Sequence, residues 1–134
     1  MFADTLYMVA IANPHDHWHA AARAATAGVA DLELCTTEEV LIEFLTALAS
    51  GGAHLRARAV TVVRAVLEDP TTTVSPQSHR SFLAGMELYE NRPDKSYSMV
   101  DCISMNAMRE EDILDILTND HHFTQEGFNI RIHR

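Results

Sequence analysis

Apolar residues in the stretch TEEVLIEFLTALAS, residues 37–50, fall at Val40, Leu41, Phe44, Leu45 and Leu48. Spacings of three and four put them on one face of a helix, and Gly51 and Gly52 stop it. The same period marks HLRARAVTVVRAVLED (54–69), with Pro70 just beyond it, and PQSHRSFLAGMELYEN (76–91), which opens on a helix-favouring proline. A further helix starts within DKSYSMVDCISM (94–105) and runs to about Arg109, with Val100, Ile103 and Ala107 at helical spacing. Near the N-terminus, LYMVAIAN (6–13) predicts a short helix ended by Pro14, and HDHWHAAARAATAG (15–28) an Ala-rich one closed by Gly28. Shorter runs bounded by turn residues predict strands: MFAD (1–4), DLELCT (31–36), TTTVS (71–75), Ile113 to Thr118 and FNIRIHR (128–134).

Strands alternating with helices in this order predict an α/β fold, a small and mostly parallel sheet with helices on both faces. There is no internal repeat, and 134 residues suit a single domain spanning 1–134. In such sheets ligands bind beyond the carboxyl ends of the strands. Asp4 closes the first strand and Asp120 follows the strand Ile113–Thr118, so these two ends are the expected ligand edge.

Composition narrows the setting. No apolar run is long enough to span a membrane, and no basic segment precedes MFADTLYMVA as a signal peptide would require. The two cysteines, Cys35 and Cys102, both lie among apolar residues and read as reduced thiols, so a cytoplasmic protein is expected. A formal charge of −9 argues against duplex binding through a broad basic face. It leaves room for a nucleic-acid enzyme whose acidic pocket holds Mg²⁺ or Mn²⁺, the ion then supplying the positive charge. No Gly-rich phosphate loop is present, which removes support for a kinase or nucleotide-binding reading.

Four carboxylates stand at positions where an ion could be held, and each has an ordinary alternative. Asp4 could cap the following helix. Glu43 could belong to a solvated helix face beside Glu39. Asp101 lies three residues after Ser98 and could be a first-turn carboxylate favoured by the helix dipole. Asp120 could start a turn before His121 and His122. Their joint placement lifts them above these alternatives: two at strand ends, two on helices that can face the same edge. The histidines His15, His17 and His19 are close in sequence, but with no thiol nearby they make a poor zinc site. Arg92 and Lys95 lie near the acids and are candidates for phosphate contact. Arg56, Arg58 and Arg64 read as a solvated helix face, or as a partner or RNA surface.

The segments FADT, TTEEVLIEFL, DKSYSMVDCISM and LTNDHHF together resemble the PIN-domain family, and within it the VapC-type toxins of toxin–antitoxin pairs. They occur in the family's order and span nearly the whole chain, and the Lys-x-Tyr-Ser-x-x-Asp-Cys arrangement is the most specific of them. The resemblance implies a Mg²⁺- or Mn²⁺-dependent endoribonuclease acting on an RNA substrate, inhibited by a cognate antitoxin protein and forming a homodimer. The family's acidic positions map onto Asp4, Glu43, Asp101 and Asp120, with Asp94 as a further candidate ligand. Thr5 and Thr118 match the hydroxyl positions that accompany the acids. Two rival expectations remain: a non-catalytic PIN-like module that binds RNA or protein, and an unrelated metal-dependent hydrolase of small phosphate esters.

Overall fold

The computed structural model describes residues 1–134. Five strands, β1 (Phe2–Ala3), β2 (Leu34–Thr37), β3 (Thr72–Ser75), β4 (Asp115–Leu117) and β5 (Asn129–Ile130), form one sheet in the order β3-β2-β1-β4-β5. Every pairing is parallel, so the expected α/β architecture holds and the sheet is more uniform than "mostly parallel". β1 is only two residues long but lies in the middle, with Phe2 opposite both Cys35 and Ile116. A central parallel strand is covered on both faces and needs apolar side chains throughout; Phe2 and Ala3 are both buried. β3 at the edge is Thr-rich and only half-buried.

Seven helices connect and flank the strands: α1 (Thr5–Ala12), α2 (His19–Thr26), α3 (Glu38–Leu48), α4 (Ala53–Glu68), α5 (His79–Glu90), α6 (Met99–Glu110) and α7 (His122–Gln125). Local caps explain where several begin. Thr37 accepts the Val40 N–H at 3.1 Å and opens α3. Ser78 and Ser81 form a reciprocal capping box, so α5 starts three residues after Pro76. The helix predicted from His15 begins only at His19, because residues 13–19 form turns in which Asp16 accepts the Trp18 N–H and its own N–H donates to the Asn13 carbonyl. The strand predicted from Ile113 begins at Asp115: Asp112 has φ +53° and the Ile113 N–H donates to the Met108 carbonyl, so both residues close α6. The final strand is likewise shorter than FNIRIHR, although Arg131 and Ile132 still donate to the carbonyls of Ile116 and Thr118. The helix α7 replaces the turn expected after Asp120.

The core gathers Phe2, Phe44, Phe123, Met105, Met108, Ile116, Leu117 and Ile132, all fully buried. The predicted apolar face of α3 is part of it through Val40, Leu41, Phe44 and Leu48. Helices α5 and α6 pack closely at Gly85, where an added Cβ would stand 2.6 Å from Ile103 Cγ1. This leaves glycine as the residue that lets the two helices approach. The closeness matters for function because α6 carries Asp101.

Candidate metal centre

The strand order reverses at β1: the chain leaves it toward β2 on one side and returns from β3 to β4 on the other. Such a switch point opens a crevice beyond the carboxyl ends of the two strands. Asp4 follows β1, and Thr118 and Asp120 follow β4. Glu43 reaches the same place from α3, and Asp101 from the first turn of α6. The four carboxyl groups are electrostatic neighbours: Asp4 feels Asp101 and Glu43, and Asp101 feels Asp120 and Glu43. The structure therefore brings together these four residues from four separate elements.

Asp4 is 7% exposed and, although it stands at the N-cap of α1, its side chain caps no helix amide. Burial raises its pKa from 3.8 to about 7. The nearby Thr5 amide and Thr118 side chain oppose the rise, and the charges of Asp101 and Glu43 add to it. A carboxylate this far from water, beside others of like charge, is a poor structural element and a good cation ligand. The two hydroxyl residues are placed among the acids. Thr5 donates to the Glu43 carboxylate, while Thr118 accepts the Asp120 N–H at 3.2 Å.

Asp101 combines the cap and the acid. Its Oδ2 accepts the Ser98 N–H at 3.0 Å, and its own N–H donates to Ser98 Oγ at 3.0 Å, completing a capping box. Burial nevertheless raises its pKa, with Asp120 and Glu43 contributing in the same direction. Beneath it, Tyr97, Ile103 and Met108 are buried, and Cys102 is a buried thiol whose pKa burial pushes up. That cysteine is packing, not a nucleophile. On the crevice side stands His122, with Nδ1 3.3 Å from Asp120 Oδ1 and 3.8 Å from Asp101 Oδ2. Ligand atoms of Asp101, Asp120 and His122 all lie within 4.8 Å of one another.

Asp94 does not join this group. It lies in the turn between α5 and α6, exposed, and pairs with its neighbour Lys95 at 3.5 Å. The cap of α6 is Ser98, so Asp94 precedes the helix by several residues and lies on neither the helix nor its cap. Arg92 is also committed elsewhere. Its guanidinium makes a two-pronged contact with Glu126, at 3.0 and 3.2 Å, and Glu126 also accepts from Arg109 at 2.9 Å and the Tyr97 hydroxyl at 3.0 Å. The three histidines near the N-terminus do not converge: His19 Nδ1 meets the Ala10 carbonyl and His17 meets Arg134, which lies over the Trp18 ring.

The Glu126 cluster ties α6, α7 and the α5–α6 turn together, and nothing in the sequence pattern signalled it. Burial opposes its charge, but Arg92, Arg109 and Tyr97 outweigh this and pull its pKa from 4.5 down to about 2. A folded-state pKa below the unfolded value gives stability that is present above about 4.5 and lost as pH falls toward about 2. Glu126→Gln should flatten that acid limb, read by urea unfolding at several acidic pH values. An unchanged pH dependence would remove Glu126 from this role.

No curated protein sequence matches the chain. Its fold is shared with the crystal structure of VapC20 from Mycobacterium tuberculosis, a sarcin-ricin loop cleaving toxin, which superposes with a TM-score of 0.84 at 24% identity, covering 96% of this chain and 95% of that one. The family model for the PIN domain matches residues 1–128, all four clustered acids included. With that match over most of its length, the chain belongs to the PIN domain family.

Proposed function

We propose that the protein is a metal-dependent endoribonuclease of the VapC toxin type, hydrolysing RNA phosphodiesters and restrained by an antitoxin. The observation that carries this reading is the acidic cluster at the β1/β4 switch point, where Asp4, Glu43, Asp101 and Asp120 are electrostatic neighbours and burial pushes the Asp4 pKa up to about 7. Carboxylate oxygens fit a divalent Mg²⁺ or Mn²⁺ ion, and an unpartnered buried nitrogen, His122 Nδ1, faces the same space. When bound, such an ion supplies Lewis acidity to the phosphodiester and makes water a competent nucleophile at neutral pH. Asp4, Asp101 and Asp120 would hold it, with Glu43 completing the acidic shell. Thr5 orients Glu43, and Thr118 lies beside Asp4. Asp94, 72% exposed at its side chain, is no ligand in this scheme.

The test is cleavage of a labelled structured RNA with Mn²⁺, in EDTA, and by Asp101→Asn. Activity should require the ion and the carboxylate. Turnover that survives either loss would defeat the proposal, and turnover of small phosphate esters alone would point to the rival hydrolase.

The partner reading rests on surface. Phe82, Leu83, Met86 and Tyr89 leave an apolar stripe exposed on α5, and Ile42, Val60 and Leu67 leave another on α3 and α4. Two such stripes support a homodimer and an antitoxin contact. Light scattering at micromolar concentration should give twice the chain mass; a monomer would remove the dimer. No helix is long and apolar enough to cross a membrane.

A further inference from the structure

We propose that His122 is a direct nitrogen ligand of the divalent ion, making the centre a mixed oxygen–nitrogen site that selects Mn²⁺ over Mg²⁺. This rests on reading the acidic crevice as a metal centre, and it adds a residue outside the four acids. Three observations support it.

The first is an orphan atom. His122 Nδ1 is buried and has no hydrogen-bond partner, although two carboxylates lie close by. A buried ring nitrogen without a partner is costly unless something else occupies its lone pair. The second is spacing. Two atoms bound side by side to one octahedral ion, at bond lengths near 2.1 Å, stand about 3 Å apart, and opposed ligands about 4.2 Å apart. The separations of 3.3 Å to Asp120 and 3.8 Å to Asp101 fall within that range. The three donors need only side-chain adjustment to share an ion.

The third is how firmly the ring is aimed. The backbone N–H of His122 donates to Asp120 Oδ1 at 2.9 Å, tying the residue to the acid it would work with. The ring of Tyr97 packs edge-on against the imidazole, with centroids 5.4 Å apart. The Tyr97 hydroxyl in turn is fixed on Glu126. The cluster of Glu126, Arg92 and Arg109 thus positions the imidazole through Tyr97. An outer shell of this kind is what holds a metal-binding ring in one orientation.

The chemistry of the donor sets the ion. Mg²⁺ takes oxygen ligands and keeps its waters, whereas imidazole suits softer first-row metals, and Mn²⁺ accepts both donor types. The geometry has one rival reading, in which a protonated His122 acts as a tethered counter-ion to Asp101 and Asp120. The two readings differ in sign. Removing a ligand weakens Mn²⁺ binding, while removing a competing cation strengthens it.

The experiment uses the full chain and Mn²⁺ alone. Pulsed electron paramagnetic resonance of the bound ion should show hyperfine coupling to a directly bound ¹⁴N, absent in His122→Ala and in His122→Asn. Calorimetric titration should show Mn²⁺ bound about tenfold more weakly by both variants, with Mg²⁺ affinity changed much less. Asp101→Asn should lose the coupling as well, placing the nitrogen at this centre. Circular dichroism of both His122 variants checks the fold, and the wild-type spectrum decides the matter by itself if neither folds. Mn²⁺ bound at the acids with no ¹⁴N coupling would overturn the His122 assignment and leave the acidic centre intact. Tighter Mn²⁺ binding by His122→Ala would overturn it in favour of the counter-ion. No Mn²⁺ binding to the wild-type protein would overturn both this inference and the metal centre.

Discussion

Asp4→Asn is expected to abolish RNA cleavage and yet raise the melting temperature of the metal-free protein at pH 8. Both effects follow from one carboxyl group. With its pKa moved from 3.8 to about 7 by burial, Asp4 binds a proton more tightly in the folded chain than in the unfolded one. Its contribution is favourable at low pH, and stability falls as pH rises from about 3.8 to about 7. Above that range the ionised group costs on the order of 4 kcal/mol, taking roughly 1.4 kcal/mol for each pKa unit. The asparagine removes the charge at nearly the same volume. Some of the gain is lost to the new amide, so a rise of several degrees is expected at pH 8, and little or none at pH 5. On the proposed function, Mn²⁺ would offer the wild-type carboxylate another way to be relieved, binding only the folded state. It should raise the melting temperature of the wild type strongly at pH 8, less at pH 6, and that of Asp4→Asn least of all. Thermal melts in chelator and in excess Mn²⁺ at the two pH values give every comparison. A variant that melts below the wild type in chelator at pH 8 and still cuts RNA would refute the reading of Asp4.

The second large effect concerns the ends of the cut RNA. On the proposed function, water activated at an acidic metal centre would attack phosphorus directly, with no covalent enzyme intermediate and no use of the 2′-hydroxyl. The downstream fragment should carry a 5′-phosphate and the upstream one a 3′-hydroxyl. A ribonuclease working by histidine acid–base chemistry would use the 2′-hydroxyl and leave a 2′,3′-cyclic phosphate. The rival is a fair one here, because His121 and His122 stand beside Asp120. Ligation of the downstream fragment by an enzyme that needs a 5′-phosphate decides between them. RNA whose scissile residue lacks the 2′-hydroxyl should still be cut. Cyclic ends, or activity persisting in EDTA, would exclude the metal mechanism.

The parts of the site legible in the sequence are those that depend on short-range pattern. Asp4 and Asp120 could be placed because each follows an apolar run that must be a strand, and strand ends face ligands in parallel sheets. Asp101 stood out because a carboxylate interrupts an apolar helical stretch. The sequence-based reading went wrong where tertiary structure assigns partners. Asp94, a candidate ligand by resemblance, lies before the Ser98 cap in an exposed turn and pairs with Lys95. Arg92 was expected at phosphate, but Glu126, 34 residues away, holds it. His122 was visible only as half of a His-His pair in a turn. Its aim at Asp101 depends on α7, four residues long and too short to leave a periodic signal. Of the helical faces, that of α3 was legible, whereas the exposed stripe on α5 was not separated from its buried side at Gly85 and Leu88.

The position of β1 also has a consequence for how the protein is born. The central strand is the first to leave the ribosome, but Phe2 waits for Cys35 on one side and for Ile116 on the other. The acids arrive in the same spread-out order, at 4, 43, 101 and 120. A nascent chain can pair β1 with β2, and β2 with β3, early, yet the acidic cluster stays open on one flank until β4 and Asp120 emerge. At synthesis speeds of roughly 5–20 residues per second, that leaves the chain several seconds without a complete centre. On the proposed function, a toxin wired in this way is harmless while it is being made. Any nonsense or frameshift mutation upstream of residue 120 yields a fragment that cannot assemble the centre, so selection for escape from toxicity should recover truncations spread along most of the gene.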